Sequence, residues 1–338
     1  MKKRTFIIAE LSANHNGDIK VALDSIRAAK RTGADAVKIQ TYTADTLTID
    51  CKNDYFKINH GTAWDGEYLY DLYKRAFTPW EWHAEIFRVA NEEGIICFSS
   101  PFDNSAVDLL EELKAPIYKI ASFEIQDIPL IEYAASKGKP MILSTGIAEI
   151  KDIELAIETC RKAGNNDITI LKCTSAYPAN PTDANLLTIP DIEKRFGVKV
   201  GLSDHTMGIE GPVVAIALGA TVIEKHFILD KKIGGPDAHF SLDEKEFTQM
   251  VKSVRIAESM MGKIDYEMTE KKKKSRQFSR SLFIVKDVKA GEKINRENVR
   301  SIRPGFGIHP KYLSEIIGNK FNCDFQKGTP MSLDFISN

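Results

Sequence analysis

The run V-I-E-K-H-F, Val222 to Phe227, sets a glutamate and a histidine two residues apart in an otherwise apolar stretch. On a β-strand alternate side chains point to opposite faces. Val222, Glu224 and His226 therefore share one face, and Ile223, Lys225 and Phe227 the other. A second histidine, His205, ends the run G-L-S-D-H-T (201–206). A lone strand histidine is more often a hydrogen-bonded core residue than a ligand. Two imidazoles at the ends of neighbouring strands point instead to a metal ion. Without a third protein ligand such an ion keeps positions open to water and substrate, as a catalytic ion requires.

The same two-residue period, applied to other β-like runs, collects further groups. Glu10 falls on the side of Phe6 and Ile8, Lys38 and Gln40 on that of Ala36, and Lys119 on that of Ala121. Ser144 follows Ile142, and Ser203 and His205 follow Gly201. Lys172 also reads as inward-facing, without a role. A buried lysine costs several kcal/mol unless paired, so this many ionisable residues in one ring fit a site for a polar ligand. Lys38 and Lys119 read as structural ion-pair partners or anion-binding groups, and their rarity as core residues favours the second. Glu10 reads as a general base or a neighbour of the metal. Asp204 faces away from His205, which suits an orienting or capping role. The S-T-G phrase, Ser144 to Gly146, can offer a hydroxyl and backbone N–H groups to a phosphate.

These residues sit on eight β-rich runs: TFIIAEL, DAVKIQT, IICFSS, YKIAS, PMILST, ITILKCT, KVGLSD and TVIEKHF. Amphipathic helical patterns separate them, three of which end at Gly33, Gly94 and Gly164, as helices often do. Eight such repeats in ~250 residues predict a (β/α)8 barrel, whose chemistry lies at the C-terminal strand ends. An open doubly wound sheet is disfavoured because no G-x-G-x-x-G phosphate loop occurs. The connection from Thr43 to Phe77 is long and rich in aromatics, which suits an active-site rim.

The barrel is expected over 1–261, with a polar, Lys-rich linker over 262–280 and a small domain over 281–338. The small domain carries a weak internal repeat. D-V-K-A-G-E-K-I-N-R-E-N-V (287–299) aligns with D-F-Q-K-G-T-P-M-S-L-D-F-I (324–336), which suggests two β-turn units closing on each other.

Bulk composition narrows the function class. The 338 residues are 43% hydrophobic, enough for a full core, and 46 basic against 47 acidic residues leave a net charge of −1. That balance speaks against nucleic-acid or membrane-surface partners. The run Lys271 to Lys274 reads as a solvated helix end or linker. The five cysteines are odd in number and hold no C-x-x-C pair, which fits a reducing compartment. The start M-K-K-R-T-F-I-I-A-E opens like a signal peptide, but Glu10 ends its apolar run too early. The apolar stretch Gly211 to Ile223 is short and broken by Gly219, so no membrane span is expected. A cytosolic protein follows. From the residues alone, the chain reads as a metal-dependent barrel enzyme acting on an anionic, phosphorylated small substrate.

Its phrases also resemble those of the sialic acid synthase family, which condenses phosphoenolpyruvate with an amino sugar. The resemblance runs the length of the chain through A-E-L-S-A-N-H-N-G (9–17), A-D-A-V-K-I-Q-T-Y (34–42), F-S-S-P-F (98–102), Y-K-I-A-S-F-E (118–124), K-P-M-I-L-S-T-G (139–146), K-C-T-S-A-Y-P (172–178), G-L-S-D-H-T, I-E-K-H-F and G-P-D (235–237). The C-terminal segment is similar to the family's antifreeze-like (SAF) domain. E-L-S-A-N-H, W-D-G-E-Y-L-Y-D-L-Y, T-P-W-E-W-H and I-R-P-G-F-G-I-H-P look most like the pseudaminic acid branch. The legionaminic and N-acetylneuraminic branches share its chemistry. A metal-dependent aldolase, and a carbohydrate- or ice-binding protein, are the more distant alternatives.

The resemblance implies that His205 and His226 hold manganese or magnesium, with Glu10 beside the metal-bound water. Lys38, Ser100, Lys119, Ser122, Ser144, Ser175 and Ser203 match phosphoenolpyruvate positions. Ser100 stands where threonine is common, and Ser175 where asparagine is. Gln40, Glu124, Tyr177 and Asp237 match sugar-contacting positions. Arg303 matches an arginine that the SAF domain sends into the partner's barrel mouth, which implies a domain-swapped homodimer.

Overall fold

The computed structural model describes residues 4–59, 61 and 64–337. The basic start Met1–Lys3 of the signal-like opening lies outside these residues. All eight expected runs are strands: β1 (Phe6–Glu10), β2 (Ala36–Thr41), β3 (Ile96–Pro101), β4 (Tyr118–Ile120), β5 (Met141–Ser144), β6 (Ile168–Cys173), β7 (Lys199–Asp204) and β8 (Val222–His226). They pair in sequence order, all parallel, and β1 closes on β8 to complete a barrel. Each crossover helix buries one stripe against the outside of the barrel. The helix Ile19–Thr32 is typical. Asp18 caps its start by accepting from the Lys20 amide, and Gly33 ends it at φ 87°, a left-handed conformation that glycine takes without a Cβ penalty.

Inside the barrel the two-residue period produces layers. Ile8, Ala36, Phe98, Ile142, Leu171 and Val222 pack with Phe6 and Ile117 as an apolar floor. Gly201 completes it. A Cβ there would lie 2.4 Å from the Val222 carbonyl oxygen and 2.6 Å from Leu171 Cδ2, so no larger residue fits. Two residues further along each strand, the floor gives way to Glu10, Lys38, Ser100, Lys119, Ser144, Cys173, Ser203 and Glu224.

One expectation is corrected here. Lys172 does not face inward. Leu171 packs in the floor, so Cys173 takes the next inward position and Lys172 points outward. Its Nζ donates to the Cys173 carbonyl at 2.6 Å and to Thr174 Oγ1 at 3.2 Å. The opposite outer-face lysine, Lys225, is buried and donates to Asp204 Oδ2 at 2.5 Å and to the Thr206 carbonyl at 2.6 Å. Asp204 Oδ1 also accepts from the Thr206 amide at 3.0 Å, so it performs the capping role its facing suggested.

The long β2 connection is more ordered than its polar-aromatic sequence implies. It folds into the helix Ala44–Leu47, a 3-10 turn Asp54–Phe56 and the helix Leu69–Ala76. Among the described residues no helix is long and apolar enough to cross a membrane.

By contact the chain divides into two compact units, Met1–Gly262 and Lys263–Asn338. The stretch expected as a linker holds the exposed helix Glu270–Arg276, capped by Thr269. The second unit pairs β9 (Ser281–Ile284) with β10 (Val299–Ile302), antiparallel, over a core of Leu282, Ile284, Val288, Ile294, Val299, Ile316, Phe321 and Met331. The sequence repeat is visible in its hydrogen bonds. Asp287 Oδ1 accepts from the Lys327 amide at 2.7 Å, and Asp324 Oδ1 from the Ala290 amide at 2.9 Å. Each aspartate opens one repeat and ties down the fourth residue of the other. Val288 and Phe325, the second residue of each, exchange backbone hydrogen bonds at 2.9 and 3.1 Å.

Candidate active site

The ionisable ring above the floor is a connected ionic network. Lys38 Nζ lies 2.6 Å from Glu10 Oε2, 3.7 Å from Glu224 Oε1, and donates to Ser100 Oγ at 3.2 Å. Lys119 Nζ donates to Glu224 Oε1 at 2.9 Å, and Ser203 Oγ donates to the same oxygen at 3.2 Å. None of the four charged residues is more than 4% exposed. Burial would raise the Glu224 carboxyl, but Lys119 and Lys38 outweigh it and hold it down at about 2. Burial raises Glu10, and Lys38 offsets this only in part. Burial lowers Lys119, whereas in Lys38 the two glutamates overcome burial and raise it. Glu224, which the strand period put on the face of His226, is the shared anion of both lysines.

One step further out lie the two imidazoles, with ring centroids 5.2 Å apart. His205 Nδ1 donates to the Thr174 carbonyl at 3.0 Å, which fixes the tautomer and leaves Nε2 with its lone pair. Burial opposes charge on His205, but Cys173 and the Thr174 carbonyl outweigh it and raise its pKa. His226 is held well below the usual imidazole value by burial and by His205. Its Nδ1 is buried with no hydrogen-bond partner and sits 3.8 Å from Asp237 Oδ2. Phe240 packs edge-on to His226 at 4.9 Å, and Tyr177 lies 4.5 Å from His205.

This arrangement fits a cation in an open site. Among the described residues no three of His, Cys, Asp and Glu form a metal cage. Two imidazoles do lie side by side, one oriented by a carbonyl and the other with an orphaned buried nitrogen. Such a pair leaves the remaining positions of a divalent ion for water and substrate.

The outermost layer opens into a cavity of about 440 Å³. Gln40, Ser122, Glu124, Ser175, Tyr177, His226 and Asp237 all line it. Gln40 Nε2 bridges Glu10 Oε1 and Ser12 Oγ, both at 3.0 Å, and so links the cavity to the ring beneath. Glu124 Oε2 and Ser144 Oγ are buried without hydrogen-bond partners, which leaves an acceptor and a hydroxyl for a ligand. Burial raises Glu124 to about 7. Gly146 donates its amide to Ser122 Oγ at 3.0 Å, so in this structure that N–H is already engaged. A Cβ on Gly146 would lie 1.9 Å from Ser175 Oγ and 2.8 Å from Ser122 Oγ, so the residue must be glycine for both serines to stand where they do. The structure thus brings together every expected barrel residue. Arg303 belongs to the second unit and is exposed there.

Two contributors were not anticipated. Cys173 Sγ lies 3.7 Å from His205 Nδ1 and 4.0 Å from Ser175 Oγ. Burial pushes its thiol up, but His205 outweighs that and brings it down to about 7. Leu171 in the floor was the signal that would have found it. Phe240 carried no sequence signal, since it lies on the loop after β8. The histidine of A-E-L-S-A-N-H-N-G, in contrast, is structural. His15 Nδ1 accepts from the Gly17 amide at 3.1 Å, its Nε2 meets Thr78 Oγ1 at 3.2 Å, and burial and His83 lower its pKa to about 4.

Comparison with known proteins finds matches along both units. A model of the NeuB family matches residues 25–266, and a model of the SAF domain matches residues 279–336. A pseudaminic acid synthase of Helicobacter pylori is 49% identical over 98% of this chain and 97% of its own. An N,N'-diacetyllegionaminic acid synthase of Legionella pneumophila is 37% identical over 98% of this chain and 94% of its own. A crystal structure of N-acetylneuraminic acid synthetase from Leptospira borgpetersenii, in complex with citrate, superposes with a TM-score of 0.72 at 32% identity, covering 81% of this chain and 90% of that one.

Proposed function

This chain belongs to the NeuB family, and from that premise we propose how its barrel makes pseudaminic acid from phosphoenolpyruvate, water and 2,4-diacetamido-2,4,6-trideoxy-L-altrose. The sugar rests on relatedness, since identity stands at 49% to the pseudaminic acid synthase and 37% to the legionaminic one. The observation that carries the reaction class is the buried ring in which two lysines share Glu224 beside a pair of imidazoles.

Phosphoenolpyruvate is an enol ester, and its methylene carbon is a weak nucleophile. Lys38, Lys119 and the serines around them, Ser100, Ser122, Ser144, Ser175 and Ser203, hold its carboxylate and phosphate. The unpaired Ser144 hydroxyl suits that task. A fixed donor gains proximity and electrostatic preorganisation. His205 and His226 would hold a divalent ion, manganese or magnesium, which supplies Lewis-acid polarisation of the sugar aldehyde. Gln40, Glu124, Tyr177 and Asp237 position the open-chain sugar in the cavity. Bond formation from the methylene carbon leaves positive charge on C2 of the former enol. Water adds there as Glu10 takes its proton, and the tetrahedral intermediate expels phosphate. A raised pKa brings Glu10 toward the working pH of a general base.

Arg303 completes the sugar site of a partner subunit in a domain-swapped homodimer, and the enzyme works in the cytoplasm. The exposed position of Arg303 supports the first reading. Mixing an Arg303→Ala protein with a His226→Ala protein tests it. Activity of the mixture above that of either parent supports the swap, and its absence opposes it.

The reaction class is tested by phosphate release. Protein freed of metal by chelation and dialysis is given phosphoenolpyruvate and the unphosphorylated sugar. Release that requires added manganese, and that His226→Ala abolishes, is the expected result. Manganese-independent release, or full activity in His226→Ala, would refute the assignment.

A further inference from the structure

Polar groups of the barrel, Gln40, Ser122, Glu124, Ser175, His226 and Asp237, account for one part of the cavity. The wall supplied by the β2 connection has a different chemistry. Leu47, Ile58, Leu69, Leu72 and Ala76 line it, with Tyr73 set edge-on against Tyr42 at 5.9 Å. Leu72 and Ile58 are buried, 8% and 7% exposed, while Leu47 and Leu69 are half-buried. The two helices of the connection, Ala44–Leu47 and Leu69–Ala76, present this side. Lys57 is the one charged lining residue from the connection among those described. The carboxyl groups of Glu124 and Asp237 and the imidazole of His226 come from the barrel and its loops, while the connection adds the aromatic side chains Tyr55, Trp64 and Tyr73. The cavity therefore has a polar side, where Gln40, Glu124, His226 and Asp237 line it above the ionic ring, and an apolar wall, which is unnecessary for holding phosphate, carboxylate or aldehyde.

We propose that this apolar wall sets sugar specificity, with Leu47, Leu69 and Leu72 receiving the C6 methyl and the acetamido methyl at C4 of a trideoxy sugar. The inference rests on the reaction proposed above and adds the residues that choose its acceptor. The chemistry of the alternatives makes the case. N-acetylmannosamine carries hydroxyls at C4 and C6. Against aliphatic side chains those hydroxyls leave water without a replacement partner, which is unfavourable. A methyl at C6 gains from the same contact. The acetamido group at C4 has both faces, a methyl for the wall and an N–H for an acceptor. Glu124 Oε2, buried and without a partner, lines the same cavity and can take that N–H. A pocket of this type discriminates by roughly ten- to two-hundredfold.

Leu69→Gln and Leu47→Gln test this, because both keep side-chain size near the original at half-buried positions. Leu69→Met is the conservative control. The measurement is kcat/KM for 2,4-diacetamido-2,4,6-trideoxy-L-altrose divided by kcat/KM for N-acetylmannosamine, on manganese-loaded full-length protein. KM for phosphoenolpyruvate and the thermal transition are recorded alongside. The expected result is a ratio lowered about tenfold or more in each Gln variant and held within about threefold in Leu69→Met, at unchanged phosphoenolpyruvate KM. An unchanged ratio in folded Gln variants would overturn the proposal. So would equal losses on both sugars with a raised phosphoenolpyruvate KM, since that marks a merely structural wall. If Leu69→Gln does not fold, Leu47→Gln decides alone. A wild type inactive on both sugars would refute the reaction itself, a result separate from an unchanged ratio.

Discussion

Lys119 on β4 donates to Glu224 on β8 at 2.9 Å, across the inside of the barrel. Three strands lie between the two in either direction around the ring. The pair therefore spans the barrel and joins opposite walls above the apolar floor. Lys38 lies 3.7 Å from the same carboxylate oxygen and 2.6 Å from Glu10, so both lysines share Glu224 and Lys38 has Glu10 as its nearer partner.

Removing that shared anion leaves the buried Lys119 without its carboxylate partner, while Lys38 keeps only Glu10. Glu224→Gln is expected to destabilise the barrel by about 3–5 kcal/mol, the usual cost of breaking a buried pair. It should also lower turnover at least a hundredfold, since Lys38 and Lys119 lose their orientation. Urea unfolding and phosphate release check both. A variant of normal stability would show that the pair contributes nothing net.

Gly146→Ala separates site geometry from fold. Its Cβ would press on Ser175 Oγ and Ser122 Oγ, which are side-chain atoms that can rotate away. The expected stability loss is about 1–3 kcal/mol. The phosphoenolpyruvate KM should rise tenfold or more while the sugar KM changes little. Steady-state kinetics with each substrate varied will show it, and an unchanged phosphoenolpyruvate KM would remove both serines from the donor site.

Stability should fall in acid in two stages. His15 has a folded pKa of about 4 against an ordinary 6.5, so the unfolded chain binds its proton first. Its contribution is whole above 6.5 and is lost as pH falls toward about 4. Glu224, at about 2 against 4.5, holds its contribution above 4.5 and loses it toward about 2. Glu10 is raised, so its protonation works in the opposite direction and softens the second stage. His15→Gln is expected to flatten stability between pH 6.5 and 4 by on the order of 2–3 kcal/mol. Urea titrations across that range measure it, and an unaltered slope would show that other groups carry the first stage.

The barrel was legible because eight short β-rich runs are separated by amphipathic helical patterns, and the two-residue period within those runs picked out Glu10, Lys38, Lys119, His205 and His226. It failed at β6. I-T-I-L-K-C carries apolar residues on both faces, so the lysine looked like the inward group until Leu171 was seen in the floor. Partners were less legible than facing. Glu224 meets a lysine 105 residues away, a pairing that only barrel closure creates. The β2 connection hid its helices because Leu69 to Ala76 is too short for a clear helical period. Its apolar wall emerges only once Leu47, Ile58 and Leu72 meet in space. Arg303 showed itself by motif alone.

The account turns on a carbon–carbon bond made between an enol phosphate and an unphosphorylated sugar. Mass spectrometry of the product is its most direct test, with phosphoenolpyruvate, manganese and, in separate reactions, 2,4-diacetamido-2,4,6-trideoxy-L-altrose, the corresponding mannose and N-acetylmannosamine. The account predicts one phosphate released per nine-carbon acid formed, with the altrose derivative the preferred acceptor. Phosphate released without a product enlarged by the three-carbon unit, or no product from any of the three sugars, would contradict it.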